Sequence, residues 1–249
     1  MTQRLVLFIL ILSLGSFVSP SSVSIDRPAC ARVDFKGQEF DLFAFDLNDY
    51  EVRMFWKDSD GEMFGSLGNL KAQLNRIGKK LIFATNGGMY MPDQNPQGLY
   101  IEDGRILSSL DTTRKGYGNF YMLPNGVFSI GKEKFEITTT LDFKLRDQIY
   151  ATQSGPMLLT NGRILPAFRE GSKNKYIRSG VGLVNHHLAV FAISRAPCNF
   201  YDFASLFKEY FGCKDALYLD GAISKAYAPC IDRYDGGGNF GVMIGVLPK

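Results

Sequence analysis

The chain has 249 residues, of which 45% are hydrophobic and 21% charged, and its formal net charge is +3 at pH 7. This composition is typical of a globular protein, and 28 basic against 25 acidic residues favour neither nucleic acid nor a membrane surface as a partner. The sequence has no basic block, heptad repeat or low-complexity tract, so it lacks the patterns of coiled-coil and low-complexity proteins.

The first predicted element is a secretory signal over residues 1–24. Arg4 precedes ten uncharged residues (5–14), and small residues follow before the first acid, Asp26. A basic start, a short apolar run and a small-residue exit are typical of such signals, and the run is shorter than the roughly 18–20 residues that span a bilayer. We expect export to the periplasm or the extracellular space, with no membrane insertion beyond this segment. An uncleaved N-terminal anchor is the alternative.

The second predicted element is an amphipathic helix over residues 67–77. Its apolar residues recur every three or four positions, behind Ser66 as the N-cap and ahead of Gly78 as the C-cap. A short apolar strand at residues 81–84 follows.

Turn-forming residues then divide the middle of the chain into four predicted hairpins. Pairs such as Asp103-Gly104 and Asn161-Gly162 favour two-residue turns, because these residues adopt positive φ. The hairpins join residues 99–102 to 105–107, 120–123 to 127–130, 157–159 to 163–165, and 181–184 to 188–193.

A second helix is predicted between Asp202 and Gly212, followed by an apolar strand at residues 216–219. Few helices among many hairpins indicate an α+β fold with a largely antiparallel or mixed twisted sheet and about two to four helices. Because no linker interrupts the pattern, we expect one domain over residues 25–249.

Four cysteines follow the signal segment, at positions 30, 198, 213 and 230. In an oxidising compartment an even number favours two disulfides, and the sequence leaves all three connectivities open. The cysteine spacings match no zinc signature and the chain has 2 histidines, so no metal site is expected.

Four glycine-bearing segments follow predicted strands and carry polar side chains, at residues 85–90, 153–156, 178–182 and 219–224. Glycine at a strand end allows unusual backbone angles and close approach to a ligand, and loops fixed there often form sites. For any one segment alone, a simple turn is the better explanation. Four of them in one domain favour a ligand pocket.

The residue types in these segments suit a substrate that carries both sugar and phosphate. Asp220 is a candidate stabiliser of a cationic sugar, nucleophile or base, and the planar fork of Arg178 matches phosphate. Asn86, Ser154 and Ser224 offer hydrogen bonds, and the backbone N–H groups of residues 87–88 are candidates for an anion-binding nest. His186 and His187 lie in a predicted turn, where exposure to solvent explains them better than catalysis.

In these segments the sequence resembles the phosphodiester glycosidase family, and in particular its short bacterial exported members. The motifs that carry the resemblance occur in order along residues 35–248. They are Asn86-Gly87-Gly88-Met89-Tyr90, Gln97-Gly98, Ser154-Gly155-Pro156, Arg178 with Gly180 and Gly182, and Asp220-Gly221 with Ser224. Two departures concern the substrate: Ala222 and Ile223 replace glycines of the family pattern, and Ser179-Gly180 replaces a common Thr-Ala pair.

The resemblance implies hydrolysis of a sugar-1-phosphodiester at the glycosidic C1–O bond, without a cofactor. It implies a catalytic group of Asp220, Arg178 and Asn86. The implied substrate-binding residues are Gly87, Gly88, Gln97, Gly98, Ser154, Gly155, Gly221, Ser224 and Lys225. Two other readings stay open: a non-catalytic binder of cell-envelope sugar phosphates, and a phosphodiesterase that cuts the P–O bond.

Overall fold

The structure is a computed structural model that describes residues 29–220 and 224–249. The predicted signal segment lies outside the described residues, as does Gly221 with its two neighbours, Ala222 and Ile223. None of the helices within the described ranges is long and apolar enough to cross a bilayer.

The described ranges contain seventeen β-strands and two α-helices. The helices are α1 (Leu67–Arg76) and α2 (Phe200–Ser205), and α2 continues as a π-helical segment over Leu206–Tyr210. The strands are β1 (Ala29–Phe35), β2 (Gln38–Asp46), β3 (Tyr50–Phe55), β4 (Phe83–Asn86), β5 (Tyr100–Glu102), β6 (Arg105–Ser108), β7 (Gly126–Ile130), β8 (Phe135–Thr139), β9 (Tyr150–Ser154), β10 (Met157–Thr160), β11 (Arg163–Ile164), β12 (Ser179–Leu183), β13 (Leu188–Ser194), β14 (Asp215–Tyr218), β15 (Ala226–Ala228), β16 (Arg233–Tyr234) and β17 (Met243–Pro248).

These strands form three sheets, where the sequence predicts one. The orders are β1-β2-β13-β12-β14-β10-β11, β16-β15-β4-β17-β3 and β6-β5-β9-β7-β8. Every strand pair among the described residues is antiparallel, which agrees with the predicted α+β class. The division into sheets depends on pairings between distant segments, such as β2 with β13, which hairpin signals do not reveal.

Three of the four predicted hairpins are confirmed, by the pairs β5–β6, β10–β11 and β12–β13. In the first two turns, Asp103 and Asn161 take positive φ of 49° and 50°. The hairpin predicted around Asn125-Gly126 is wrong. Residues Asn119–Tyr121 form a 3-10 helix instead, and the buried Asn125 side chain donates to the Phe120 carbonyl at 3.0 Å.

Both predicted helices are confirmed, with a change at the start of the second. Ser66 caps α1 by accepting from the Asn69 N–H at 3.1 Å. Helix α2 begins earlier than predicted, because Asn199 is its N-cap and accepts from the Asp202 N–H at 2.8 Å.

The seven-stranded sheet is covered on both faces. Side chains alternate along β2, so Phe40 and Leu42 pack with Phe203 of α2, and Phe43 and Phe45 pack towards the five-stranded sheets. We call these the α2 face and the inner face. Helix α1 packs on the far side of the β16–β3 sheet, which gives a layered α+β arrangement.

One disulfide joins Cys30 to Cys230, which are 200 residues apart. The prediction of two disulfides is wrong, because Cys198 and Cys213 are buried free thiols in the core of the α2 face. Burial raises the pKa of Cys198 to about 11 and that of Cys213 to about 12, so both thiols remain protonated at neutral pH.

Candidate functional site

Asn86 anchors the loop that contains Asp220 and Lys225. Its Nδ2 donates to the Asp220 carbonyl at 2.7 Å and to Ser179 Oγ at 3.0 Å. Its Oδ1 accepts from the Lys225 N–H at 3.3 Å and from Thr85 Oγ1 at 3.2 Å. One buried amide at the end of β4 therefore binds the backbone of both Asp220 and Lys225, and it also binds Ser179 in the seven-stranded sheet.

The two glycines after Asn86 permit close packing of backbone segments. The Gly87 N–H donates to the Val242 carbonyl at 2.8 Å, and the Gly87 carbonyl accepts from the Asp220 N–H at 3.2 Å. A Cβ atom at Gly88 would collide with Thr152 Oγ1 and the Gln153 carbonyl. Of the two N–H groups predicted to form an anion nest, that of Gly87 is thus engaged.

Asp220 lies beside two tyrosines that the sequence reasoning did not assign to the site. Burial raises the pKa of Tyr90 to about 12, and the Asp220 carboxylate adds to the shift. Burial also raises the pKa of Tyr218 to about 12, opposed by the charge of Arg178 and assisted by that of Asp220. Both phenols are neutral hydrogen-bond donors at physiological pH. Their only signal in the sequence was their place at the ends of the glycine-bearing motifs.

Arg178 is buried next to Tyr218, with 1% of its surface exposed. Its Nε donates to the Cys198 carbonyl at 2.8 Å, and its Nη2 donates to the Asn174 carbonyl and Oδ1 at 3.1 Å. The guanidinium carbon is 3.5 Å from the ring centre of Phe200 and 5.6 Å from that of Tyr218. The fork that the sequence analysis matched to phosphate is therefore a buried cation on the α2 face, with its Nε and Nη2 bound to protein acceptors.

No ion pair among residues 29–220 and 224–249 involves Arg178. Its polar partners are neutral, and burial lowers its pKa. A buried charge without an opposite charge is costly, because neutral acceptors replace only part of the lost hydration. An anion bound nearby would offset that cost.

The Ser154 hydroxyl is fully buried and is among the buried side-chain oxygens of the described residues that lack a hydrogen-bond partner. Side chains alternate along β9, so Ser154 shares a face with Thr152, the neighbour of Gly88. Gly155 packs tightly, since a Cβ there would lie 2.6 Å from the Asn125 Cβ. Ser154 thus lies in the sheet that adjoins the Asn86 motif.

Gln97 and Gly98 shape the loop that follows this motif. The Gln97 N–H donates to the Met89 carbonyl at 2.9 Å, and Gly98 takes a positive φ of 78° against the Gln153 side chain. Gln153, which the sequence reasoning passed over, binds the Leu99 and Asp111 N–H groups through its Oε1 at 3.0 and 2.9 Å. These residues position backbone segments around Tyr90.

Ser224 and Lys225 line a separate cleft on the inner face. The cleft has a volume of about 480 Å³ and is formed by residues from β1, β2, β13, β16 and the 220–225 loop. Asp41 is its buried acid, and three arginines surround that carboxylate: Arg32, Arg195 and Arg233. Sequence reasoning missed this group because Asp41 and Arg233 are 192 residues apart.

Neither histidine joins the site, since His186 and His187 are exposed in the β12–β13 turn. Within the described ranges, no group of three or more His, Cys, Asp or Glu residues has an arrangement able to hold a metal ion.

Three comparisons place this chain among known proteins. A family model described as phosphodiester glycosidase matches residues 79–246. An Escherichia coli (strain K12) protein described as uncharacterized protein YigE is 41% identical over 177 residues, which is 71% of this chain and 69% of that protein.

Solved structures share the fold at low sequence identity. The catalytic domain of zebrafish N-acetylglucosamine-1-phosphodiester alpha-N-acetylglucosaminidase, auto-inhibited by its pro-peptide, aligns with a TM-score of 0.58 at 14% identity, over 90% of this chain and 83% of that one. A hypothetical protein from Synechocystis gives 0.55 at 13% identity, over 88% of this chain. The present chain spans 61% of that second structure's length.

Proposed function

Because the chain belongs to the phosphodiester glycosidase family, we propose that it cleaves the C1–O bond of a sugar-1-phosphodiester and releases free sugar and a phosphomonoester. The observation that carries this proposal is the arrangement around Tyr218. The carboxylate of Asp220 and the buried cation of Arg178 both act on this one side chain at the end of β14. A sugar phosphate needs both charges, one for the cationic sugar and one for the phosphate.

Asp220 is the proposed catalytic group. As the C1–O bond breaks, its electron pair leaves with the phosphate oxygen and positive charge develops on the sugar ring. A carboxylate beside C1 stabilises that charge and accepts a proton from the water that attacks C1. Its main-chain carbonyl and N–H are held by Asn86 and Gly87, so the Asp220 backbone is fixed before substrate arrives.

The leaving group explains why one carboxylate suffices. A phosphomonoester departs as a stable anion and needs little protonation, unlike the alcohol released by ordinary glycosidases. The neutral phenols of Tyr90 and Tyr218 are available as hydrogen-bond donors to its oxygens.

Arg178 has a positioning role in this proposal. Its Nε and Nη2 are held by protein acceptors, so its charge acts on the phosphate across Tyr218 rather than through an exposed fork. The absence of a carboxylate partner, among the residues described, leaves that positive charge available to a bound anion. Ser154, whose buried hydroxyl lacks a hydrogen-bond partner among the described residues, orients the reacting sugar phosphate, and Ser224 orients the part of the substrate that reaches its cleft.

Export from the cytoplasm is part of the proposal. The Cys30–Cys230 disulfide supports it, because disulfides persist mainly in oxidising compartments. The N-terminal pattern of residues 1–24 supports it as well. We expect the protein recovered from a bacterial host's periplasm to lack these residues, and an intact N-terminus in the mass spectrum of that protein would contradict cleavage.

Replacing Asp220 by Asn tests the catalytic assignment. We expect turnover of a sugar-1-phosphodiester to fall at least about a hundredfold, because the amide neither accepts a proton nor stabilises positive charge as well. Substrate binding and the thermal midpoint should change little. Asp147→Asn, at an exposed position in the loop before β9, is the matched control and should keep full activity. Full activity in the Asp220 variant would contradict the proposal.

A further inference from the structure

The cleft on the inner face contains four cations that the proposed reaction does not use directly. We call it the arginine cleft and define it by Arg32, Asp41, Arg195, Ser224, Lys225 and Arg233. Asp232 and Asp235 also line it, so four cations face three carboxylates, including Asp41. The positions of these charges decide what the cleft can bind.

The buried carboxylate of Asp41 binds the three arginines. This carboxylate is 0% exposed, and it contacts Arg233 Nη1 at 2.7 Å, Arg195 Nη1 at 3.2 Å and Arg32 Nε at 3.4 Å. One buried negative charge thus holds three positive charges. The side chains of Arg32 and Arg195 are 50% and 36% exposed, so they remain accessible from the cleft.

The other acids compensate this accessible charge only in part. Glu39, whose side chain is 69% exposed, contacts Arg195 Nε at 3.6 Å. Asp235 is engaged by Arg233 Nε at 2.7 Å and by the Ala226 N–H at 3.0 Å. The Lys225 ammonium takes part in none of the ion pairs within the described ranges. Two half-exposed guanidiniums and an ammonium, already held in place, suit a phosphate group, which accepts several charge-assisted hydrogen bonds.

This cleft and Arg178 lie on opposite faces of one sheet. Asp41 lies between Phe40 and Leu42 along β2, so it faces the inner side, whereas Arg178 stacks on Phe200 of the α2 face. A single phosphate therefore cannot contact both. Asn86 connects them, because its amide binds both the Asp220 carbonyl and the N–H of Lys225, which lines the arginine cleft.

We propose that the arginine cleft binds a second phosphate, carried on the leaving-group side of the substrate. The choice of substrate rests on the proposed function: the sugar phosphodiester reacts beside Asp220, and a further phosphate on its aglycone reaches the cleft beside Lys225, whose N–H shares the Asn86 amide with the Asp220 carbonyl. The preferred substrate class is thus a sugar-1-phosphodiester with a phosphorylated aglycone.

Kinetics with two esters of the same sugar test this substrate class. One is the methyl phosphodiester, and the other has an alkyl group that ends in a second phosphate. We expect Arg195→Gln and Lys225→Gln each to raise KM for the two-phosphate ester about tenfold more than for the methyl ester, since each removes one charge-assisted contact. Lys132→Gln, an exposed lysine beyond β7, is the charge-matched control and should alter neither KM. If the ratio of the KM for the two-phosphate ester to the KM for the methyl ester is the same in the wild type and both variants, the proposal is overturned.

Binding of inorganic phosphate to the full chain, measured by calorimetry at low salt, separates the two proposals. Binding that weakens about tenfold in Arg195→Gln and not in Lys132→Gln supports the cleft, even if no ester is hydrolysed and the proposed function fails. If the methyl ester is hydrolysed but phosphate does not bind, or binds equally to all variants, the proposed function stands. The proposal that the cleft binds phosphate is then overturned. Asp41→Asn should change the phosphate affinity in the opposite direction from Arg195→Gln. A folded variant without the buried negative charge of Asp41 should bind phosphate more tightly.

Discussion

The two faces of the seven-stranded sheet hold their cations in different ways. On the α2 face, Arg178 is buried among neutral acceptors and an aromatic ring, without an ion-pair partner among the residues described. On the inner face, three arginines share the buried carboxylate of Asp41 and two of them reach the surface. The first arrangement leaves one uncompensated charge 5.6 Å from the Tyr218 ring, where we propose that the phosphate of the substrate binds. The second gives compensated, pre-organised charges suited to recognition.

Asn86 links these two regions, because its side chain binds both the Asp220 carbonyl and the Lys225 N–H. Chemistry on one face and recognition on the other therefore depend on the same buried amide. A substitution on the α2 face should alter kcat, and a substitution on the inner face should alter phosphate binding. A substitution of Asn86 should affect both regions.

The largest effect on stability should come from the inner face, by removing the disulfide. Cys30–Cys230 ties β1, which contains Arg32, to the turn before Arg233, and the Arg32 Nη2 donates to the Ile231 carbonyl at 2.8 Å. We expect Cys230→Ser to lower the free energy of unfolding by about 3 kcal/mol in urea, and to weaken phosphate binding. Cys213→Ala, at a free buried thiol, is the control and should cost about 1 kcal/mol. Equal losses in the two variants would show that the disulfide does not organise the cleft.

Arg178→Met tests the α2 face. We expect kcat for the methyl phosphodiester to fall about a hundredfold, because the uncompensated charge near the developing phosphate anion is lost. Arg178→Lys keeps a charge but not the fork, so it should recover part of that loss. Steady-state kinetics and thermal melts on both variants check this. Wild-type kcat in a correctly folded Met variant would remove Arg178 from the reaction.

Asn86→Ala should affect both regions at once. It leaves buried partners on Asp220, Lys225 and Ser179 unsatisfied, at about 2 kcal/mol of unfolding free energy, and releases the loop. Asn125→Ala removes a comparable buried amide that binds the Phe120 carbonyl, far along the chain from the loop. We expect similar losses of stability, with kcat reduced only in the Asn86 variant. Unchanged kcat in both would contradict the anchoring role.

The smallest effect concerns the buried tyrosines at alkaline pH. The pKa of Tyr90 and that of Tyr218 are each raised to about 12, so folding favours their neutral forms. Their contribution to stability is fully present below the unfolded pKa of about 10 and is lost as the pH rises towards 12. Urea unfolding between pH 8 and pH 12 should show this decline, and Tyr218→Phe should reduce its slope. If the unfolding free energy of that variant declines with pH as steeply as in the wild type, the raised pKa of Tyr218 is contradicted.

Local patterns in the sequence predict the local structure well. Apolar spacing and capping residues locate α1 between Ser66 and Gly78, and Asn-Gly and Asp-Gly pairs locate two tight turns, because both depend on neighbouring residues alone. The failure at Asn125-Gly126 has a tertiary cause, since the side-chain hydrogen bond to Phe120 stabilises a helical turn there.

The site was predictable only in part, because motifs do not reveal contacts. The motifs identify Asn86, Arg178 and Asp220 as candidates, but not that Asn86 anchors a loop or that Arg178 is buried. Of the arginine cleft, the motifs identify Ser224 and Lys225 but not Asp41 or the arginines, which come together through strand pairing between β1, β2 and β13. A single sequence contains little information on such distant pairings.

Hydrolysis of a sugar-1-phosphodiester in ¹⁸O-labelled water tests the central claim most directly. Attack of water on C1 puts the label in the released sugar and leaves the phosphomonoester unlabelled, which is the result we expect. Label in the phosphate would mean that water attacks phosphorus and that the P–O bond is cut. Absence of any product, with retained binding, would make the protein a binder of sugar phosphates and would contradict a catalytic role for Asp220.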